Sequence, residues 1–159
     1  MSLQHDYPVA PAQLFAVLVD PDYLKMRHER FGGVGIPEVE NAGDLITIRT
    51  VRQLPMDKVP GAFRGFLGNG QIEQIDTWSK SSAEPITAEW RANAGSAPAT
   101  IGGEHLIQSE GDGSRYTVTV NVKINIPLVG GKFTDQVSGY LNHVIDKELT
   151  FLDEWVADH

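Results

Sequence analysis

Residues 133–155 read FTDQVSGYLNHVIDKELTFLDEW, and this stretch decides the fold. Its apolar residues recur at steps of three and four, which is the spacing of one face of an α-helix. The apolar stripe consists of Phe133, Val137, Tyr140, Leu141, Val144, Ile145, Phe151, Leu152 and Trp155. Asp135, Asn142 and Asp146 lie away from this stripe. A helix of about 25 residues is roughly 37 Å long and can cover one whole face of a sheet.

The residues before this helix alternate in the manner of strands that are buried on one face. The predicted strands span residues 3–9, 44–54, 70–80, 85–94, 101–110 and 116–126. In the last of these, every second side chain from Tyr116 to Ile126 is apolar, and a glycine-rich turn at residues 111–113 precedes it. One dry and one wet face are typical of an antiparallel sheet that is covered on one side. Two short helices, predicted from the prolines at 11 and 21, complete an α+β fold.

Composition limits the classes of protein to consider. With 159 residues and 41% hydrophobic residues, the chain fits one domain over residues 1–159. It has no cysteine and so no disulfide or zinc-thiolate site. The net charge of −8 argues against nucleic acid and anionic lipid headgroups as partners. We find neither a secretory signal nor a window of about 18 apolar residues. We therefore expect a cytoplasmic protein without a membrane span. The sequence does not determine its oligomeric state.

The order of these elements resembles the helix-grip fold of the START-like superfamily, which includes the polyketide cyclases and the birch-pollen-allergen proteins. Residues 126–132 (IPLVGGK), residues 12–16 (AQLFA) and the Val59-Pro60 region resemble a bacterial subfamily of unknown function. The resemblance covers essentially the full chain. It implies a curved antiparallel sheet wrapped around the long C-terminal helix, and a cavity between them that holds a ligand. It carries over no catalytic residue.

Pockets of this kind are mostly apolar, with a few polar groups that orient the ligand. The aromatic residues of the dry faces either form the wall of the cavity or simply fill the core. Residues 54–67 are apolar at helical steps but are interrupted by proline and glycine, so they are either a lid over the cavity mouth or an ordinary connection. The predicted ligand-binding residues are Met56, Phe63, Phe66, Trp78, Trp90, His105, Tyr116, Phe133, Tyr140, Val144 and Glu148.

Glu148 is the one carboxylate within the apolar stripe. A buried carboxylate must find a partner or take up a proton, because an unpaired charge in an apolar site is very costly. Arg52, on the same strand face as Ile46 and Ile48, is one candidate partner. In the structural interpretation, Glu148 forms a buried ion pair or accepts hydrogen bonds from backbone N–H groups. In the functional interpretation, it orients the ligand or acts as a general acid with a raised pKa.

The leading functional hypothesis is the binding of a hydrophobic small molecule or lipid by a carrier or sequestering protein. The alternative is a cyclase, dehydratase or isomerase that uses Glu148 or His105 as acid or base. A third class is an interaction protein that works through its outer surface. We predict no catalytic constellation, no metal site and no cofactor: the five histidines are scattered, and neither a dinucleotide fingerprint nor a Gly-x-Ser-x-Gly elbow is present.

Overall fold

Seven strands and four helices make up the chain in the computed structural model, which describes residues 1–80, 83–93 and 95–159. The elements in chain order are β1 (Ser2–Tyr7), α1 (Pro11–Leu18), α2 (Pro21–Arg30), β2 (Glu38–Ala42), β3 (Leu45–Gln53), a 3₁₀ turn (Met56–Lys58), α3 (Gly61–Arg64), β4 (Gln71–Ser79), β5 (Ile86–Asn93), β6 (Ala99–Glu110), β7 (Gly113–Ile124) and α4 (Gly130–Asp158).

The strands form one curved antiparallel sheet in the order β1-β7-β6-β5-β4-β3-β2. The alternation in β7 has its expected result, because Tyr116, Val118 and Val120 are buried on the face that α4 covers. Helix α4 packs on β7 and β1. The Tyr7 hydroxyl of β1 donates a hydrogen bond of 2.9 Å to the carbonyl of Leu149. The predicted helix-grip architecture is confirmed.

The two short helices begin where their prolines predict, and α2 is capped by its sequence. The Asp20 carboxylate accepts hydrogen bonds from the backbone N–H groups of Asp22 and Tyr23, which satisfies two donors of the first turn. The Tyr23 side chain is buried, and its ring centre lies 5.8 Å from that of Phe151 on α4. One face of α2 is therefore directed at the space between α4 and the sheet.

Two elements differ clearly from the sequence-based expectation. Strand β2 was not predicted, because all five of its residues are exposed at the edge of the sheet and show no alternation. Helix α4 has 29 residues rather than about 25. The predicted end of one strand at Ala94 lies outside the described residues. Among the residues described, no helix combines the length and apolar character that a membrane crossing requires.

Candidate functional site

An apolar cavity of about 340 Å³ lies between the first half of α4 and the sheet. Its walls are Leu54, Pro55, Lys58, Val59, Pro60, Phe63, Leu67, Ile72, Ala92, Ile101, Phe133, Gln136, Val137, Tyr140 and Leu141. Most of these side chains are apolar, so water in this space finds few hydrogen-bond partners. A cavity of about 150 Å³ is sufficient to bind benzene. This cavity has room for a larger apolar molecule.

Residues 54–67 supply one wall of the apolar cavity. Their prolines and glycines restrict the helical spacing to the 3₁₀ turn and the four-residue α3. The Phe63 ring is buried, and its centre lies 5.7 Å from that of Phe133 on α4. Gly70 has a φ of 79°, a conformation that returns the chain to β4 and that favours glycine. Phe63 therefore anchors a short apolar segment over the cavity.

A smaller polar cavity of about 50 Å³ lies beside the apolar one. Its lining consists of Leu18, Tyr23, Arg27, Arg52, Gln74, Trp90, His105, Tyr116, Val118, Leu141, Val144, Ile145, Glu148, Leu149 and Leu152. A space of this size holds a few water molecules or a small polar group of a ligand. The two guanidinium groups, one imidazole and one carboxylate in this lining make it chemically distinct from the apolar cavity.

The two cavities follow each other along the same structural elements. Leu141 lines both of them. On the sheet, the apolar and polar cavities are lined by residues two positions apart: Leu54 and Arg52, Ile72 and Gln74, Ala92 and Trp90. Residues two apart along a strand point to the same face and lie about 6.6 Å from each other. The cavities are therefore neighbours on one continuous surface.

Glu148 of α4 forms an ion pair with Arg52 of β3, in which Oε1 contacts Nη2. Each side chain is 17% exposed. Glu148 Oε1 and Arg52 Nε have no hydrogen-bond partner among the described residues. Both residues line the polar cavity. Pairing with Arg52 therefore does not remove Glu148 from the cavity.

Arg27 of α2 brings the second guanidinium group to the polar cavity. Its Cζ lies 5.8 Å from the ring centre of Tyr23, and its Nε is buried without an acceptor in the described part of the chain. Burial by itself lowers the pKa of Arg27, but the charges of Glu148 and Asp76 and the neighbouring Tyr23 raise it above its ordinary value. Arg27 is thus a half-buried cation whose buried Nε has no acceptor among the described residues.

Asp76, His105 and Tyr116 form a chain of hydrogen bonds at the wall of the polar cavity, which His105 and Tyr116 line. His105 Nε2 lies 2.7 Å from Asp76 Oδ1, and the Tyr116 hydroxyl lies 2.7 Å from His105 Nδ1. Gln74 Nε2 donates to both oxygens of Asp76, at 3.2 and 3.1 Å. With the imidazole proton on Nε2, His105 donates to Asp76 and accepts from Tyr116. This arrangement uses both nitrogens of the ring.

The pKa values of these buried groups separate one charged side chain from two neutral ones. Burial by itself raises the pKa of Asp76, but the hydrogen bond from His105 and the charge of Arg27 hold it below its ordinary value of 3.8. Burial raises the pKa of Tyr116 well above 10.0 and that of Tyr23 to about 12. At neutral pH, Asp76 is therefore a carboxylate and both tyrosines keep their protons.

The structure divides the predicted ligand-binding residues among three places. The apolar cavity contains Phe63, Phe133 and Tyr140 in its wall. The polar cavity contains Trp90, His105, Tyr116, Val144 and Glu148. Met56, Phe66 and Trp78 line neither cavity. Met56 and Phe66 pack beside the apolar cavity, whereas Trp78 is buried with its ring centre 5.2 Å from that of His105.

Asp76 belongs to this hydrogen-bonded chain but was not among the predicted site residues. Asp76 is only 4% exposed. Glu73, on the other face of β4, forms an ion pair of 2.5 Å with Arg49. The two-residue period of the strand indicates that Asp76 is buried, because Asp76 lies two positions before Trp78 and so shares its dry face.

Arg27 was also absent from the predicted site residues, and it stands in a basic stretch of the sequence with His28 and Arg30. The helical period separates these residues. Arg27 follows Tyr23 by four positions and therefore shares its buried face, whereas Arg30 is exposed. The helical period therefore indicates that Arg27 faces inward, a signal that a count of charges conceals.

Trp90 reaches the cavity wall because β6 has glycine opposite it. Gly103 pairs with Trp90, and a Cβ at position 103 would lie 1.7 Å from the carbonyl oxygen of Thr119. The Trp90 indole N–H instead donates to that oxygen at 3.1 Å.

Within the described residues, no group of three or more His, Asp or Glu side chains is placed to hold a metal ion.

These features define the fold: a curved antiparallel sheet that grips a long C-terminal helix is the fold of START-like proteins. Solved structures with this fold include TTHA0849 from Thermus thermophilus, with a TM-score of 0.69 at 17% identity, covering 99% of this chain and 97% of that one. The Zhui aromatase/cyclase from Streptomyces has a TM-score of 0.66 at 8% identity, with coverages of 99% and 92%. Human STARD10 has a TM-score of 0.59 at 15% identity, with coverages of 99% and 66%.

The chain belongs to the family described as "Protein of unknown function (DUF2505)", whose model matches residues 2–156. An uncharacterized protein of Mycobacterium tuberculosis is 22% identical over 165 residues, which cover 97% of this chain and 94% of the relative. An uncharacterized protein of Mycobacterium bovis matches with the same identity and coverage. The expected resemblance to START-like proteins and to a bacterial subfamily of unknown function is confirmed.

Proposed function

We propose that this protein binds a hydrophobic small molecule or lipid in the space between the sheet and α4, as a carrier or a sequestering protein. The observation that supports this most strongly is the apolar cavity of about 340 Å³. Protein interiors are normally packed to crystal-like density, with few voids larger than a water molecule. An apolar space of this size therefore fits a bound molecule better than it fits solvent. We further propose that residues 1–159 form one START-like domain and that the protein is located in the cytoplasm.

The solved neighbours support this proposal through their fold. One is human STARD10, and another is described as a START superfamily protein from Mycobacterium smegmatis. The composition of the two cavities points the same way, because a mostly apolar wall with a few convergent polar groups is typical of small-molecule sites.

The direct test is to incubate the purified protein with a bacterial lipid extract and to record native mass spectra. We expect an apolar species to remain bound to the wild-type protein. Ala92→Phe places a ring inside the apolar cavity and should reduce retention about tenfold or more, because the ring occupies the ligand's space. Glu89→Phe is the matched control, since Glu89 is exposed on the opposite face of the same strand. A wild-type protein that retains nothing, or equal retention by both variants, contradicts the proposal.

An enzyme of the cyclase, dehydratase or isomerase type is the second candidate. It is favoured by His105 and Tyr116, which line the polar cavity and are hydrogen-bonded to each other, and by the aromatase/cyclase among the solved neighbours. Glu148 is a poorer acid or base, because its carboxylate is engaged by Arg52. The captured molecule can be recovered after incubation with the wild-type protein and with Tyr116→Phe. A change in its mass or chromatographic retention with the wild type alone supports catalysis, and an unchanged molecule in both cases contradicts it.

A further inference from the structure

The polar cavity has hydrogen-bond donors without matching acceptors. Arg27 Nε and Arg52 Nε are buried and have no acceptor in the part of the chain that the structure describes. The oxygens of Asp76 are taken by Gln74 and His105, and the carboxylate of Glu148 is in contact with Arg52. Arg52 Nε and Glu148 Oε1, which also lacks a hydrogen-bond partner, belong to one ion pair, so Arg27 Nε is the donor that the described residues leave for another molecule.

The formal charges around this donor are already balanced. Arg27 and Arg52 contribute two positive charges, and Asp76 and Glu148 contribute two negative ones. A bound anion would add a negative charge without a counter-ion inside the protein, where an uncompensated charge is very costly. A neutral oxygen can accept the hydrogen bond without disturbing this balance.

The distance between the two cavities suits one molecule that occupies both. Leu141 is common to the two linings, and the residues that line them are one same-face step apart on β4 and β5. One such step is about 6.6 Å. An apolar body in the larger space thus needs to extend only a few bonds to bring an oxygen to Arg27.

We propose that the ligand is a predominantly apolar molecule that ends in a neutral acceptor oxygen, such as the carbonyl of a ketone or an ester. The carbonyl oxygen accepts a hydrogen bond from Arg27 in the polar cavity, and the apolar body fills the cavity under residues 54–67. This inference rests on the proposed function and narrows it to a ligand class.

Three naphthalenes of nearly equal size form the test. 2-Ethylnaphthalene has no acceptor, 2-acetylnaphthalene has a neutral carbonyl, and 2-naphthoate has a carboxylate in the same position. Isothermal titration calorimetry with the full chain should show that the ketone binds about tenfold more tightly than the hydrocarbon, because a hydrogen bond to a charged donor contributes at least that much. The carboxylate should bind more weakly than the ketone.

The variant Arg27→Met tests whether Arg27 causes the preference for the ketone over the hydrocarbon. Methionine keeps an unbranched apolar stem and removes the hydrogen-bond donors. The advantage of the ketone over the hydrocarbon should fall to about onefold to twofold, and the affinity for 2-ethylnaphthalene should stay the same. Lys25→Met is the matched control, since Lys25 lies on the same helix but is exposed. It should keep the full preference for the ketone.

The possible failures are distinguishable. Equal affinity of the wild-type protein for the ketone and the hydrocarbon overturns the inference but leaves the proposed function intact. Tighter binding of 2-naphthoate than of the ketone overturns the neutral ligand class. If neither the ketone nor the hydrocarbon binds, the inference is overturned, and retention of an apolar species in the native mass spectra decides the proposed function separately. The wild-type comparison decides these cases even if Arg27→Met does not fold.

Discussion

At the scale of single residues, Asp76 is a carboxylate that stays charged although it is buried. Desolvation opposes the charge, and the hydrogen bonds from His105 and Gln74 together with the nearby Arg27 outweigh it. Removing one partner of such a buried charge is destabilising, because the other charge is left buried without compensation. Asp76 thereby fixes the orientation of His105 and, through it, of Tyr116.

Asp76→Asn should lower the free energy of unfolding by about 2 kcal/mol at pH 7, because it replaces charge-assisted hydrogen bonds by neutral ones. The native pKa of Asp76 lies below its unfolded value of about 3.9, so its contribution is complete above that value and is lost as the pH falls through the native pKa. The difference between wild type and variant should therefore shrink below about pH 4. Urea unfolding at pH 7, 5 and 3 measures it.

Asp6→Asn is the control for this experiment. Asp6 also has a lowered pKa, which the hydrogen bond from Arg115 causes, but it lies on the surface, where solvent screens the pair. Its effect should have the same sign and be much smaller. A difference for Asp76→Asn that is as large at pH 3 as at pH 7 would show that the charge of Asp76 is not what stabilises the fold.

At the scale of elements, residues 54–67 and α4 enclose the apolar cavity but differ in how firmly they are held. Helix α4 packs on β7 and β1, and its Ile145, Leu149 and Leu152 are buried. Residues 54–67 contain only a 3₁₀ turn and a four-residue helix, and Phe63 and Leu67 are their buried side chains. Segments with few buried contacts open more easily than the rest of a protein.

The amides of residues 56–67 should therefore exchange with solvent at least about tenfold faster than those of β7, through local opening rather than global unfolding. Saturating 2-acetylnaphthalene should slow this exchange, because the bound molecule packs beneath the segment. Hydrogen–deuterium exchange with mass spectrometry measures both effects, with peptides of β1 as an internal control. Exchange that is as slow as in β7 and insensitive to the compound would favour the ordinary connection over a lid.

At the scale of the whole molecule, the fold leaves space where a fully packed domain would have side chains. The apolar cavity forgoes dispersion contacts that a filled interior would make. A ligand that occupies it restores such contacts in the folded state only, so binding and stability are linked.

A ligand present at ten times its Kd should stabilise the protein by about 1.4 kcal/mol. For a chain of this length that corresponds to a rise in Tm of about 3–6 °C. Differential scanning calorimetry with 2-acetylnaphthalene measures the shift, and Ala92→Phe should abolish it. An equal shift in wild type and variant would place the binding site elsewhere.

The sequence by itself determined the elements of this protein. The three- and four-residue steps of α4 and the two-residue alternation of β7 depend on local backbone geometry, so they can be recognised without knowing what the elements contact. The same local period placed Glu148 within an apolar stripe and marked Arg52 as a candidate partner. Only β2 gave no such signal, because an edge strand with both faces in water has no need to alternate.

Only the tertiary structure decided which side chains meet and where space remains. Arg27, Arg52 and Glu148 come from α2, β3 and α4, and the curvature of the sheet brings them to one cavity. Whether Trp78 lines that cavity or fills the core depends on how neighbouring elements pack, and no local period encodes this. Cavities arise where side chains distant in sequence fail to fill the volume between two surfaces, and this is a property of the whole packing.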